Sequence, residues 1–200
     1  MVYSVQDSRE EDALTLAPTR HRFTVDDYYR MAVSGVLGED DRVELLEGEV
    51  IEKSPIGSRH SSHVDRLAQF FMTRLAPRAI VRIQNPIRLS RLSEPQPDLS
   101  ILRPRTDFYV SAHPKPADVF LVIEVADTSL DFDRNFKVPL YARSGIPEVW
   151  IVDLDSRALE VYREPAGKRY REKRVLRCGE SVCLRALDDM TIGAGEVLGE

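Results

Sequence analysis

The segment Phe120-Leu121-Val122-Ile123-Glu124-Val125-Ala126 constrains this chain more than any other, because it reads as a fully buried β-strand interrupted by one carboxylate. An ionised glutamate buried without a partner is expensive and shifts its pKa strongly. A compensating group has to stand beside Glu124: a metal ion, a lysine or arginine, or a solvent-filled cleft at the strand's end. A structural salt bridge meets the same need, and the strand alone does not choose between them.

The surrounding pattern supplies both strands and helices. Thr24 and Asp27 form a capping-box spacing ahead of Tyr28, Met31 and Ala32, which predicts a short helix ending near Gly35. Residues 42–51 hold two β-prone runs split by Glu47-Gly48, the signature of a tight hairpin. Val64, Leu67, Ala68, Phe71, Met72 and Leu75 recur at three- and four-residue intervals, predicting an amphipathic helix from Arg59 to Leu75 that Pro77 stops. Ile80–Leu89, Asp98–Leu102 and Asp118–Ala126 read as consecutive strands separated by prolines. A helix over Asp133–Ser144, closed by Gly145, contains Pro139, which either kinks it or marks where its regular part begins. Glu148–Asp153 is a further strand, and residues 158–187 read as more β-hairpin with turns near Ala166-Gly167 and Gly179.

Composition sets the class. With 42% hydrophobic and 30% charged residues in 200, the chain has the make-up of one globular domain, expected over residues 21–200 behind a disordered tail at 1–20 that carries Asp7, Ser8, Arg9, Glu10, Glu11 and Asp12. A formal charge of −5 argues against broad, salt-driven attachment to nucleic acid or to an anionic membrane, and no apolar run is long enough to span a bilayer. A cytoplasmic protein is expected, and Cys178 and Cys183, too few for a four-ligand zinc site, are expected to be structural thiols.

Asp98 enters its strand directly after Gln96-Pro97, where an aspartate is also ordinary turn chemistry. On a strand adjacent to Glu124 it becomes half of an oxygen donor pair suited to Mg²⁺ or Mn²⁺. Lys137 lies on the helix that follows Glu124, with Tyr141 four residues on along the same face. A solvated lysine is the default, and beside an acid pair it becomes a candidate to stabilise negative charge on a phosphate.

Gln96-Pro97-Asp98 followed by Glu124-Val125-Ala126 resembles the PD-(D/E)xK nuclease motif, except that Ala126 occupies the usual lysine position. Val43-Glu44-Leu45-Leu46-Glu47-Gly48-Glu49, Pro97-Asp98-Leu99, Val122-Ile123-Glu124-Val125 and the long run Lys137-Val138-Pro139-Leu140-Tyr141-Ala142-Arg143-Ser144-Gly145-Ile146-Pro147-Glu148-Val149-Trp150-Ile151-Val152-Asp153 together resemble the Uma family of restriction-endonuclease-like proteins, over about Phe23 to Ile192. In that family the lysine sits on the helix after the glutamate strand. The resemblance implies an α/β fold with a mixed central sheet flanked by helices and extra N- and C-terminal hairpins. It implies a site in which Asp98, Glu124 and the Val125 carbonyl hold Mg²⁺, with Mn²⁺ as a substitute, and Lys137 assists. Glu44 is the family's further acidic position, ranked lower because Glu47, Glu49 and Glu52 share its hairpin.

The activity implied is metal-dependent hydrolysis of nucleic-acid phosphodiesters, with DNA as the expected partner and no membrane. Residues 163–177 carry seven basic residues against two acidic ones, so Lys168, Arg169, Arg171, Lys173 and Arg174 are candidates to meet a phosphate backbone, a solvated hairpin being the plainer alternative. His60 and His63, three apart, could face one way and bind a metal, but the expected arrangement divides them, one capping or lining the cleft and the other solvated. A homodimer in which two sites face two strands suits a fold of this size, and the sequence leaves the oligomeric state open. The competing reading is an inactive nuclease-fold module that binds nucleic acid or protein.

Overall fold

The computed structural model of the chain describes residues 19–200. The expected tail at 1–20 lies outside the described residues except for its last two. Among the described residues no helix is long and apolar enough to cross a membrane.

The chain opens with α1 (Val25–Val33), capped as its sequence predicts. The Thr24 hydroxyl accepts the Asp27 N–H at 3.1 Å, and the Asp27 carboxylate accepts the Thr24 N–H at 2.9 Å. Strands β1 (Val43–Leu46) and β2 (Glu49–Glu52) form an antiparallel hairpin. Glu47 and Gly48 both take positive φ, 53° and 82°, as a two-residue primed turn requires. Only glycine fits at 48, because an added Cβ would stand 2.6 Å from Cβ of Arg22.

Helix α2 (Ser58–Leu75) buries Val64, Leu67, Ala68, Phe71 and Leu75 on one stripe, while Met72, assigned to that face by periodicity, is exposed. Phe71 meets the indole of Trp150 at a ring separation of 6.1 Å. Full burial of each such side chain contributes about 1.5–3 kcal/mol.

The main sheet has six strands: β3 (Ile80–Ile83), β4 (Leu99–Leu102), β5 (Val119–Ala126), β6 (Glu148–Asp153), β7 (Ala158–Ala166) and β8 (Arg169–Leu176), in that spatial order. All neighbours are antiparallel except β5 and β6, which are parallel and joined through a helical crossover. Helix α2 covers one face of the sheet, on a core of Leu99, Ile101, Leu121, Ile123, Trp150 and Val152. The crossover helix and the β1–β2 hairpin cover the other, on Leu46, Ile87, Val122, Leu140, Tyr141 and Val149. A separate pair, β9 (Ser181–Leu184) and β10 (Leu187–Gly193), precedes the closing helix, and both cysteines are exposed thiols.

Three expectations need correction. The strand predicted over residues 80–89 ends at Ile83. Gln84 turns to φ 49°, and Asn85-Pro86 follows, a pair that disfavours continued pairing. The chain then folds back on itself through Ile87 N–H to Pro95 O and Leu89 N–H to Ser93 O. Of the hairpin region expected over 158–187, residues 158–176 form β7 and β8 of the main sheet, and the extra C-terminal hairpin is β9–β10. The helix predicted over 133–144 starts earlier, as α3 (Leu130–Phe132), passes through a π-helical turn at Asp133–Lys137 and continues as α4 (Val138–Arg143). Pro139, second residue of α4, has no N–H to give to the carbonyl four residues back, and its ring would collide with that carbonyl in a regular helix. The wider π turn ahead of it removes the conflict.

Candidate active site

The register of β4 against β5 pairs Leu99 with Ile123, which sets Asp98 and Glu124 opposite each other at the mouth of the two strands. The Asp98 N–H points at Glu124 Oε2 from 3.4 Å. Asp98 Oδ2 accepts the Val125 N–H at 2.9 Å and lies 3.0 Å from His60 Nε2, while Oδ1 accepts from the Gln84 amide at 3.2 Å. Burial pushes the Asp98 carboxyl upward, but the bond and charge of His60, the Val125 amide and Lys137 outweigh it and hold the group below the usual range. In return, the bond to Asp98 raises the His60 imidazole against the opposing effect of burial.

Glu124 is 2% exposed. Its Oε1 accepts from Tyr141 Oη at 2.6 Å and from Lys137 Nζ at 3.2 Å. The same ammonium lies 3.3 Å from Glu44 Oε1, and Glu44 Oε2 accepts the Gln96 N–H at 2.9 Å. One cation thus serves two buried carboxylates. Burial is the largest influence on Glu124 and, helped by the charges of Asp133 and Asp98, lifts its carboxyl to about 8 despite Lys137 and Tyr141. Desolvation disfavours the charged Lys137, yet the surrounding acids, Glu124 and Glu44 foremost, hold it protonated above its ordinary pKa.

The π turn positions this set. It turns both Asp133 and Lys137 inward, leaving them 2% and 5% exposed, and Asp133 accepts the Ser129 hydroxyl at 2.6 Å. Burial raises the Asp133 carboxyl. Asp98, Glu124, Lys137, Asp133, His60 and Gln84 all line one cleft of about 470 Å³, with Arg42 and Lys53 on its rim.

The structure therefore brings Asp98, Glu124, Lys137 and Glu44 together, with Val125 touching Asp98 through its N–H. Glu44 is separated from its hairpin neighbours by direction: it faces Lys137, whereas Glu47 pairs with Arg143 at 2.8 Å and Glu49 with Arg20 at 3.5 Å. His60 lines the cleft, and His63 instead bonds the Arg59 carbonyl at 3.0 Å. Lys168, Arg169, Arg171, Lys173 and Arg174 are not part of this assembly. They are exposed on or beside β8, the far edge of the sheet and three strands from β5, and Lys173 pairs with Glu160 at 3.0 Å. Arg163 is turned inward onto the fully buried Glu148 at 2.7 Å. Sequence reasoning missed Tyr141, Asp133 and Gln84 as site residues. For Tyr141 the signal was present, because it follows Lys137 by one helical turn.

Among the described residues no three His, Cys, Asp or Glu side chains form a ready-made metal cage. The donor chemistry nevertheless fits a hard divalent cation: two carboxylates border open space, and Glu124 Oε2 has only the long contact to the Asp98 amide.

Comparison with solved structures gives a "putative nuclease" from Anabaena variabilis, 16% identical, with a TM-score of 0.69 over 88% of this chain and 98% of that one, a likeness of fold. No curated protein matches the chain. A family model described as "Putative restriction endonuclease" matches residues 25–193, nearly the whole of the described structure, and by that match the chain belongs to the Uma2 family.

Proposed function

We propose that the protein hydrolyses phosphodiester bonds of DNA in the cleft at the mouth of β4 and β5, with Mg²⁺ or Mn²⁺ as cofactor. One observation carries the reading: the Lys137 ammonium, delivered from the crossover helix, stands 3.2 Å from a glutamate that opposes Asp98 across two strands, in a cleft open to a ligand.

Asp98, Glu124 and the Val125 carbonyl are the groups that would hold the cation. Mg²⁺ is commonly bound by one or two carboxylates and completed by water and substrate phosphate oxygens, so the lack of a three-ligand cage among the described residues fits this use. Bound there, the cation supplies Lewis-acid polarisation of the phosphate and a water of lowered pKa. The chain's own residues do the rest. Lys137 offsets charge growing on the phosphate oxygens, and Glu44 keeps the ammonium from collapsing wholly onto Glu124. His60, Gln84 and the Val125 N–H fix the Asp98 carboxylate, and Tyr141 fixes that of Glu124.

The test is cleavage of plasmid and single-stranded DNA by purified protein in Mg²⁺, in Mn²⁺ and in EDTA, alongside Asp98→Asn, Glu124→Gln and Lys137→Ala. Cleavage that needs the metal and disappears in Glu124→Gln is expected. If no such activity exists while DNA still binds, the cleft belongs to a non-catalytic module and the hydrolytic reading is wrong.

A further inference from the structure

A second cleft, of about 600 Å³, opens beside β3, and its lining includes Tyr29, Arg82, Arg88, Tyr109, His113 and Lys115. Among the described residues none that lines it is acidic. Its basic groups are differently disposed. Arg88 is committed: its Nε donates to the buried carboxylate of Glu94, which also accepts from Tyr29 Oη at 2.7 Å. His113 stacks on Tyr29, ring centroids 6.5 Å apart and nearly parallel, and burial lowers its pKa, so it forms a neutral wall near pH 7.

Arg82 is the uncommitted cation. Its Nη2 donates to Asn85 Oδ1 at 3.1 Å, while Nη1 is buried with no partner among the described residues. Burial pulls its pKa below the ordinary arginine value, as expected of a cation withdrawn from water with no carboxylate beside it. A buried donor left unsatisfied is costly to the fold, and its persistence at the wall of a cleft points to a ligand that satisfies it. Lys115, exposed on the same cleft, adds a second positive charge.

The position connects this cleft to the first. Arg82 stands two residues before Gln84, whose amide holds Asp98 Oδ1, so the two lie about 7 Å apart along the chain. Among the described strands β3 pairs only with β4 and is an edge of the sheet, Gln84 after it lining the first cleft and Arg82 within it lining the second.

We propose that the Arg82 cleft is a phosphate subsite that takes a backbone phosphate of the DNA strand whose scissile bond lies at Asp98 and Glu124. The inference rests on the hydrolytic reading for the identity of the strand. The unpaired Nη1 can donate to a phosphate oxygen and Lys115 supplies long-range charge, while the nearest carboxylate bonded to the lining, Glu94, is occupied by Arg88 and Tyr29. The exposed basic residues at the β8 edge are three strands from β5 and are not needed for this contact.

The test is binding, with cleavage blocked by EDTA. A short fluorescein-labelled DNA duplex is titrated by anisotropy at several salt concentrations against wild type, Arg82→Gln and Lys115→Gln. Arg82→Gln is expected to weaken binding about tenfold or more, and each variant to make the slope of log K against log salt shallower by about 0.9, one phosphate contact. Thermal melting checks that Arg82→Gln folds. If it does not, the surface variant Lys115→Gln decides alone. Unchanged affinity and slope overturn the subsite, as does wild-type protein that binds no DNA. Inorganic phosphate binding that depends on Arg82 while DNA binding does not also overturns it, since the site then serves free phosphate. The two readings fail separately. Metal-dependent cleavage with unaltered binding by both variants removes only the subsite, whereas binding that requires Arg82 without metal-dependent cleavage removes only the hydrolysis.

Discussion

Replacing Lys137 by methionine removes the ammonium while keeping most of the side chain's volume, which isolates the charge. Nζ lies 3.2 Å from Glu124 Oε1 and 3.3 Å from Glu44 Oε1, and both acids are 2% exposed. At an effective dielectric of about 20 the separation from Glu44 corresponds to about 5 kcal/mol of attraction, much of which offsets the cost of removing the two charges from water. What remains visible on deleting one member of a buried ionic group is about 3–5 kcal/mol, because the others are left without compensation. Glu124, whose carboxyl is raised to about 8, already holds its proton for the most part at pH 7, which places the loss toward the lower end. Urea unfolding at pH 7 is readily followed through Trp150, the single tryptophan and fully buried. With an m-value of about 2 kcal/mol per M, the midpoint should fall by about 1.5–2 M. Adding Glu44→Gln and Glu124→Gln to Lys137→Met should recover most of that loss, since neutral amides need no cation. A single variant as stable as wild type, or a triple variant no more stable than the single, would refute the charge-compensation argument.

Three further outcomes are expected. Tyr141→Phe deletes the 2.6 Å bond to Glu124 without opening a cavity and should cost about 1–3 kcal/mol by chemical denaturation, while lowering the cleavage rate more than it raises the substrate KM. Saturating Mn²⁺ should raise the melting temperature of wild type and leave that of Glu124→Gln unchanged, and equal shifts in both would place the cation elsewhere. Acid should act through Glu160. Burial raises that carboxyl, but bonds from Arg134, Tyr162 and Lys173 outweigh it and hold the pKa low, so its stabilising contribution is intact above the unfolded value of about 4.3 and is lost as pH falls through the folded one. Glu160→Gln should therefore flatten the acid limb of a stability-against-pH curve, and a limb as steep as wild type would assign acid sensitivity to other groups.

Much of this arrangement is legible in the chain. Phe120–Ala126 announces both a central strand and the anomaly at Glu124, and Thr24 with Asp27 announces the first helix, because those signals are local and each obeys a single period or cap. The register that sets Asp98 opposite Glu124 is not local, and adjacency of the two strands could only be inferred. Glu44 was hard to rank for the same reason: four glutamates in one hairpin look alike until the third dimension shows which one faces a cation. Arg82 carried no signal at all, since an arginine in a short strand is ordinary and only the surrounding cleft makes its unpaired edge noticeable. The basic run at 163–177 shows the converse. Its charge is conspicuous in one dimension, yet Arg163 and Lys173 are spent on internal acids, and the remainder sits at the opposite edge of the sheet.

The π turn before Pro139 makes the phase of a helix part of the chemistry. A residue in an α-helix advances about 100° around the axis, so removing one residue between Phe132 and Phe136 would restore regular winding while rotating everything upstream by that angle relative to the Tyr141 turn. Tyr141 and Lys137 would keep their mutual spacing, but Asp133 and Ser129 would swing off the cleft wall and the proline would meet a carbonyl again. Sequence length across this stretch is therefore a functional quantity: relatives that share the cleft should tolerate substitutions here far more readily than single-residue deletions.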